Sequence, residues 1–537
     1  MSPETEVYLR KVRPHLVRAL SMLDREAPSV TYGSFDRTFW AWKFTDFPAP
    51  RLQEGVYLLS WLYAKGDKPY RGNAEVLALV TAGFRYWQSL QHADGSYDEA
   101  YPFEHSLAAT AFSAFYLAEA FEHVKDALER QLVHDLKRTF VRAGDWLCRN
   151  HERHGLLSNH LAAAAAALVG IERITNTERF RSRAQFFLNR IVASQSPEGW
   201  YEEYGGADIG YQTHGMFYLA RIWQKTGDVQ LLNSIKRSLE FLQYFIHPDA
   251  TLGGEYASRN TTFYFPAAFE MLAVESPIAA AIASFMRRAV QEQTAAGVDS
   301  MDTWNFFPLI NNYLYAADNA ARLEDCQPLP FREVGDWRFL DAGIWVKSTR
   351  YYYLIVGISK GGVVQLYEKS TGTVSLVDDG YWARAPSGRT VSNQSYDRNY
   401  RAVWNENEVR VRAPFVELNQ RTMTPWLFIA FRLFCLLFGR FRRISYAVKD
   451  LLVHVLVKRR KPVELLLERR IIAEEDRVQI QDRLEGELYH QLTDITRGGR
   501  FSTIHMGSSR YFESKELVCF ELPRLHDRRA VCEWRAT

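Results

Sequence analysis

The segment that most constrains the fold begins at Ser158-Asn159-His160-Leu161 and continues with six alanines, Ala162 to Ala167. Alanine has the highest helix propensity, but its side chain has too little apolar surface to anchor a helix alone. We therefore expect a helix enclosed by other helices. Ser158 is predicted to cap its start, which would bring an amide and an imidazole next to unpaired backbone N–H groups, a place that suits an anion. This helix start is the predicted floor of an active site.

Length and composition limit what this helix can belong to. A chain of 537 residues exceeds a single hydrophobic core, which predicts two or three domains. The 66 basic and 63 acidic residues nearly cancel, so no polyanionic partner is indicated and no nucleic acid is expected. The five cysteines are scattered without metal-binding spacing, which predicts a reducing compartment, no metal and no other cofactor. The acidic N-terminus lacks an apolar signal segment, so a cytoplasmic location is expected.

A repeat covers residues 71–325. Loops that combine glycine with an aromatic or aliphatic residue recur after 60, 44 and 54 residues, counted from Gly95 to Gly155, Gly199 and Gly253. Helices rich in small residues follow these loops, and larger, more charged helices precede them. This alternation predicts an N-terminal (α/α) toroid, with small-residue helices around an axis and charged helices facing water. The loops before the inner helices then converge at one end.

The regions on either side of the toroid have different patterns. Residues 1–70 are predicted to form N-terminal helices and an aromatic loop, residues 32–43, which is either a lid on the helical body or a wall that stacks sugars. In residues 330–537, alternating apolar and charged residues predict a C-terminal antiparallel β-sandwich domain with one solvent-facing side. The predicted fold class is therefore multidomain, α then β. Strand patterns lie at 351–358, 373–380, 408–412, 463–472 and 477–482.

A basic amphipathic insert interrupts the β domain at about residues 423–462. Its apolar part, Trp426 to Phe438, has 13 residues and contains Arg432, whereas a membrane span needs about 20 apolar residues. Arginines and lysines follow as far as Lys461. The pattern predicts a helix that binds an anionic membrane surface through Trp426 to Lys461, which would make the protein peripheral on the inner face of the cell membrane. The alternative is a helix packed against the toroid or a partner subunit.

Several polar residues at the predicted open end can move protons or bind an acid. They are Glu104, His105, Asn159, His160, Glu203, Tyr211, His214, Arg259 and Asn260. Removal of the C5 proton of a uronic acid needs such a set, because the sugar carboxylate must be neutralised by an amide, a protonated histidine or an arginine before a base can take the proton. Tyr211 or His160 is the predicted base, provided that a positive neighbour lowers the pKa of Tyr211 from about 10. The carbanion then either expels the C4 oxygen or regains a proton on the other face, which is epimerisation.

Two features of the sequence, a motif in the toroid and the order of the domains, resemble a known family. Ser158 to Ala162, followed by Glu198-Gly199-Trp200-Tyr201-Glu202-Glu203 and then Tyr211, is similar to the toroid motif of the heparinase II/III-like polysaccharide lyases. The order of a toroid and a β-sandwich is similar too. The resemblance implies that Asn159 neutralises the carboxylate, that His160 binds or acts as base, that Tyr211 is base or acid, and that Glu203 orients the site.

The chain departs from this family in the β domain. Where the family carries a histidine motif, this sequence has Ser359-Lys360-Gly361-Gly362-Val363-Val364-Gln365-Leu366, without histidine. The departure puts ordinary lyase activity in question, and His214 is the predicted substitute from the toroid side.

Three functions remain open. The leading prediction is a polysaccharide lyase-like or uronate C5-epimerase-like enzyme that acts on a polysaccharide or lipid-linked glycan during glycan biosynthesis or remodelling. The second is a glycoside hydrolase with paired carboxylates drawn from Glu104, Glu203 or Asp208. The third is a non-catalytic glycan-binding or assembly protein.

Overall fold

Helices make up the first three fifths of the chain. The computed structural model describes residues 2–152, 157–324, 326–418, 422–439, 441, 444, 447, 448, 450, 451, 461–498, 501, 503, 510–518 and 520–536. The α-helices in these residues are α1 (Pro3–Met22), α2 (Gly55–Lys65), α3 (Ala74–Ser89), α4 (Leu107–Val124), α5 (Arg130–Arg149), α6 (Ser158–Thr175), α7 (Glu178–Ala193), α8 (Ile209–Thr226), α9 (Val229–Leu242), α10 (Ala267–Leu272), α11 (Pro277–Glu292), α12 (Thr303–Asn319) and α13 (Pro425–Phe434).

Six of these helices form a closed inner ring. Helices α2, α4, α6, α8, α10 and α12 each contact the next, and α12 contacts α2. The side chains of Ala162 to Ala167 in α6 are buried, and a Cβ added to Gly170 would lie 3.3 Å from the Cβ of Ala118 in α4. Larger side chains would force the helices apart. The alanine run is therefore enclosed by helices, as its composition predicts.

The first seventy residues belong to the same helical body. Helix α1 packs against α11 and α12, and α2 lies between α4 and α12 in the ring. Tyr8 and Tyr57 share one buried cluster with the alanines of α6. The predicted boundary at residue 70 therefore does not separate two cores. Helix α2 closes the ring with aromatic and aliphatic side chains, so it lacks the small-residue pattern of α4 and α6.

The β domain consists of two antiparallel sheets. Its strands are β1 (Gly335–Phe339), β2 (Ile344–Ser348), β3 (Tyr352–Gly357), β4 (Val363–Glu368), β5 (Thr373–Asp378), β6 (Tyr381–Arg384), β7 (Thr390–Ser392), β8 (Arg401–Trp404), β9 (Glu408–Glu417), β10 (Pro462–Ala473), β11 (Arg477–Glu485), β12 (Thr493–Arg497) and β13 (Arg529–Arg535). The first sheet has the order β1-β2-β3-β4-β5. The second has the order β12-β6-β7-β9-β10-β11-β13, with β8 paired to β9.

The five-stranded sheet lies between the helices and the second sheet. On one face, Trp345, Leu354 and Val356 pack against residues of the eight-stranded sheet such as Val411 and Ile471. Residues of its other face, such as Ile355, join the core of the helical body. Alternating side chains on β3 therefore serve two different cores, and all six residues of that strand are buried. The predicted fold class, helices followed by an antiparallel β domain, is confirmed.

The insert begins with α13, which continues as one wider turn over Cys435–Gly439. Most of residues 440–460, with nearly all the basic side chains of the predicted membrane segment, lie outside the described residues. Among the helices that the structure describes, none has the length and hydropathy required to cross a bilayer.

Candidate active site

Three inner helices begin at one end of the ring and bring their first two turns together. The Phe112 ring of α4 meets the His160 ring of α6 edge to face, with centroids 5.6 Å apart, and stacks on the His214 ring of α8 at 5.7 Å. A Cβ added to Gly215 would lie 3.3 Å from the Cα of Asn159, so α6 and α8 approach closely. A small cavity lies between them. Its lining includes Asn159, Glu203, Tyr211 and Gln212.

Asn159 is positioned by its own helix start. Its side chain is almost fully buried, and its Oδ1 accepts a hydrogen bond from the backbone N–H of His160 at 2.7 Å. Because the oxygen is engaged, the amide nitrogen is the atom left to donate to a ligand. The first turn therefore presents an amide donor at the positive end of a helix, an arrangement that favours a carboxylate.

The predicted cap by Ser158 is wrong. Leu157 occupies the cap position of α6, with no side-chain bond to the helix start. The Ser158 hydroxyl instead donates to the carbonyl of Glu202 at 2.9 Å, and Leu157 pairs with Glu203 in an isolated antiparallel bridge. The serine is thus used to attach the Glu202–Glu203 loop to α6, which brings that loop against the cavity.

His160 has a carboxylate partner that the sequence analysis did not identify. Its Nδ1 lies 3.0 Å from Oε2 of Glu152, and the two side chains are 22% and 7% exposed. When Nδ1–H donates to the carboxylate, Nε2 is left as the proton acceptor. In this pair the carboxylate orients the imidazole and can stabilise its positive charge, as an acid does for a histidine that acts as a general base. Glu152 lies eight residues before His160 without a recognisable motif, so only its proximity reveals it.

Arg259 organises the opposite wall of the site. Its Nη1 donates to Oε1 of Glu203 at 2.9 Å, and its Nη2 donates to the hydroxyl of Tyr211 at 3.4 Å. The guanidinium carbon also lies over the rings of Tyr211 and Tyr204, at 4.0 and 4.8 Å from their centroids. The guanidinium of Arg259 therefore contacts one carboxylate and two phenol rings.

Burial determines the protonation states of Tyr211 and Glu203 in this wall. It raises the pKa of Tyr211 above its usual value, and the nearby Arg259 offsets only part of the increase. A positive neighbour is present, but the condition for Tyr211 to act as the base, a lowered pKa, is not met because desolvation outweighs the charge. Burial likewise raises the pKa of Glu203 to about 7 against the attraction of Arg259.

Asp208 fixes the loop that carries Arg259. Fully buried at the cap of α8, it accepts hydrogen bonds from the backbone N–H groups of Tyr211 at 2.9 Å, Arg259 at 3.2 Å and Thr261 at 3.3 Å. One carboxylate thus connects a helix start to a neighbouring loop.

His214 lies beneath the cavity, among aromatic rings. Its ring stacks on Phe265 at 4.2 Å, and its Nε2 is 3.0 Å from the hydroxyl of Tyr218. Burial lowers the pKa of His214 well below its usual value, so the ring is neutral. Its contacts are those of a core histidine, and its substitution for a β-domain histidine stays a prediction.

Three other predicted site residues lie beside this cavity rather than on it. Glu104 accepts the backbone N–H groups of Glu99 and Ala100 at 3.1 and 2.6 Å. The Nδ1 of His105 lies near Ser96 and Asp94 in its own loop. Asn260, with a left-handed φ of 62°, lines a separate pocket between the helices and the β domain, together with Glu255, Asp379 and Arg510. The structure therefore brings Asn159, His160, Glu203, Tyr211, His214 and Arg259 together and leaves these three apart.

The β domain also contributes to the site. Lys360, in the run where the family histidine motif is absent, is 1% exposed and donates from Nζ to the carbonyl of Ser258 at 3.1 Å. That carbonyl directly precedes Arg259. The β domain therefore supplies a buried cation that supports the Arg259 loop, which the sequence analysis missed because it considered only histidines there.

The assembled groups can perform proton transfer next to a bound acid. An amide donor, an imidazole oriented by a carboxylate, and a neutral phenol beside a guanidinium lie at one end of the ring. Across the described part of the chain, no set of three or more His, Cys, Asp or Glu side chains is arranged to hold a metal ion.

Comparisons with known proteins show what the fold is similar to. Residues 47–268 match the family model of the ulvan lyase N-terminal domain. No curated protein matches the sequence. The chondroitin AC lyase of Streptomyces coelicolor A3, solved in complex with chondroitin sulphate, superposes with a TM-score of 0.57 at 11% identity, covering 90% of this chain and 66% of the lyase.

Two further solved structures share the fold. A Paenibacillus xanthan lyase superposes with a TM-score of 0.54 at 10% identity, over 90% of this chain and 46% of that protein. A heparinase III superposes with a TM-score of 0.51 at 11% identity, over 90% of this chain and 71% of that one. The chain thus spans about half to two thirds of the length of the first two lyases. The predicted resemblance to heparinase-like polysaccharide lyases is confirmed: the family model is that of a polysaccharide lyase domain, and a heparinase III shares the architecture.

Proposed function

We propose that this polysaccharide lyase-like protein, which carries an ulvan lyase N-terminal domain, removes the C5 proton of a uronic acid residue in a polysaccharide and expels the C4 oxygen. The observation that carries the proposal is that Asn159 and Tyr211 line one cavity at the joined starts of α6 and α8. His160 follows Asn159 in the chain, and its ring meets the Phe112 ring that also stacks on His214. Asn159, His160 and Tyr211 each supply one of the functions that the reaction requires.

Asn159 binds the carboxylate of the sugar. Its amide nitrogen donates to the carboxylate, and the start of α6 adds a favourable field. Withdrawing negative charge from the carboxylate makes the adjacent C5 proton more acidic and stabilises the enolate that forms when it leaves.

His160 takes the proton. When Nδ1–H donates to Glu152, Nε2 accepts the C5 proton and the imidazole becomes positively charged. The Glu152 carboxylate stabilises that charge and holds the ring orientation. Its 22% exposure leaves the His160 side chain accessible to a chain-like substrate.

Tyr211 serves as the acid. Because burial keeps its pKa above the usual value, the phenol is protonated at neutral pH and can give its hydrogen to the departing C4 oxygen. The C5–H and C4–O bonds break, a C4–C5 double bond forms, and the phenolate left on Tyr211 is stabilised by Arg259. Solvent then returns the proton from His160 to Tyr211.

Epimerisation at C5 is the second candidate. It shares the first step, and the neutral phenol of Tyr211 is also a group able to return a proton to carbon. Paired-carboxylate hydrolysis is less well supported. Glu104 and Asp208 accept backbone N–H groups, and Glu203 is paired with Arg259, so each carboxylate already holds part of the chain in place.

We also infer that the reaction belongs to glycan biosynthesis or remodelling on the inner face of the membrane, with a polysaccharide or a lipid-linked glycan as substrate. The support is the basic, apolar insert in the β domain.

The test incubates the purified full chain with ulvan, chondroitin sulfate and xanthan in heavy water. Elimination predicts a rise in ultraviolet absorbance from an unsaturated uronate; epimerisation predicts deuterium at C5 with intact chains. Tyr211→Phe keeps the ring over Arg259 but removes the proton, and we expect it to abolish elimination. New reducing ends without unsaturation would instead establish hydrolysis, and no change in any of these polymers would contradict the proposal for them.

A further inference from the structure

Helix α13 has an unusually exposed apolar surface. Eight large apolar side chains between residues 426 and 438 are exposed, from 44% at Phe428 to 81% at Trp426. Residues 422–430, 433 and 436–438 are exposed, and the covered face contains Phe431, Arg432, Phe434, Cys435 and Gly439. A helix with one apolar stripe packs on its own protein, whereas one that is apolar on nearly all sides requires a further apolar environment.

The covered face attaches α13 to the end of the ring that holds the candidate active site. Arg432 forms an ion pair with Asp46 at 2.9 Å, and the Phe431 and Tyr101 rings pack edge to face at 5.1 Å. Tyr101 lies in the loop before α4, one of the three helices that begin at the site. The loop containing Asp46 exposes further aromatic surface, with Trp42 61% and Phe44 81% exposed. The apolar surface therefore combines two segments that are distant in sequence.

The charged residues that follow α13 indicate which kind of partner this surface fits. Residues 440–461 contain eight arginines and lysines and one acidic residue, Asp450. A protein partner or a second copy of this nearly neutral chain would not need such a concentration of one charge, whereas a bilayer with anionic head groups combines negative charge with an adjacent apolar layer. Trp426 at the helix start also suits the boundary between the two.

We propose that the docking surface, defined as α13, Cys435–Gly439 and the exposed rings of Trp42 and Phe44, inserts into the head-group region of an anionic bilayer. The aromatic loop then serves neither as a simple lid nor as a sugar wall; it extends the membrane contact. Docking does not depend on the proposed lyase reaction.

One consequence does rest on that reaction. Because the docking surface lies at the end of the ring where α4, α6 and α8 begin, a docked molecule holds its cavity close to the bilayer. Its substrate class would then be uronate glycans attached to, or leaving, the membrane, rather than free polymer in solution.

The experiment measures co-sedimentation of the full chain with vesicles of phosphatidylcholine alone or mixed with phosphatidylglycerol. We expect binding to the anionic vesicles to be roughly tenfold stronger or more, and to weaken at about 0.5 M salt, where the Debye length is only a few ångströms. Trp426→Ser with Leu436→Ser should reduce binding about tenfold or more by removing apolar contact. Val274→Ser with Leu340→Ser, which are 78% and 67% exposed elsewhere, should leave it unchanged.

Brominated lipid separates insertion from simple charge attraction. Bromine in the acyl chains should quench part of the tryptophan emission, and Trp426→Ser should remove much of that quenching. Failure of the wild-type chain to bind anionic vesicles, or equal binding by the Trp426→Ser, Leu436→Ser variant, would overturn the proposal. So would a dimer that the same variant converts to monomer, since the surface would then join two copies. If the wild-type chain binds vesicles but has no lyase activity on any of the polymers, the docking proposal stands and only the proposed reaction is rejected.

Discussion

The buried pair of Arg259 and Glu203 permits a test of the site that needs no substrate. At 2.9 Å and an effective dielectric constant of about 20, the attraction is about 6 kcal/mol, part of which offsets desolvation. Both side chains are at most 6% exposed. Arg259→Met leaves the carboxylate buried without its partner, and we expect the free energy of unfolding to fall by about 3–5 kcal/mol at about pH 8.

The pH dependence provides the sharper test. Burial already raises the pKa of Glu203 to about 7, and loss of Arg259 raises it further. A carboxyl whose folded pKa is raised holds a proton that the unfolded chain lacks, so stability is lost as pH rises through the window above about 4.5 and regained as pH falls. The deficit of the Arg259→Met variant should therefore shrink by about 1–2 kcal/mol between about pH 8 and about pH 6.

Urea unfolding followed by far-ultraviolet circular dichroism measures these differences. Glu203→Gln added to Arg259→Met should restore most of the loss, because no charge then remains to be buried. The control is Arg288→Met, which removes an exposed pair with Glu292, 61% and 50% exposed, and should cost less than about 1 kcal/mol. A deficit that does not vary with pH, or a double variant as unstable as Arg259→Met alone, would refute this account of the pair.

Three further outcomes are expected. Asn159→Asp places a second carboxylate about 4 Å from that of the substrate, a repulsion of about 4 kcal/mol, so kcat/KM should fall about 10³-fold, well beyond Asn159→Ala; equal losses would contradict the binding role. Glu152→Gln should lower kcat about 10–100-fold with the unfolding midpoint unchanged, whereas a matching loss of stability would indicate a structural role. Arg469→Met removes one of the two arginines that pair with the buried Asp378 and Asp482, while Arg497 stays, and thermal unfolding should reveal about 3–5 kcal/mol of destabilisation; a loss below about 1 kcal/mol would contradict the role of Arg469.

The sequence predicted the parts of this molecule that depend on composition and period. The alanine run is informative because only close neighbours can stabilise it, and alternation identifies strands whose faces differ. Glu152 and Lys360 were not predicted, since each acts as a single residue brought to the site by the fold. A lowered pKa of Tyr211 was the condition for its acting as the base, and the desolvation that instead raises this pKa depends on packing that sequence alone does not reveal.

Closure of the helical ring has a consequence for how the chain is made. Trp61 in α2 donates to Asp318 at the end of α12, 257 positions later, and Tyr8 donates to Glu270 across 262 positions. During synthesis, the first helices emerge long before these partners and expose apolar faces until the last segment of the ring arrives. A ribosome-bound intermediate truncated before α12 should therefore be an open helical array that needs chaperone protection. Only α12, which contacts both α10 and α2, closes the ring.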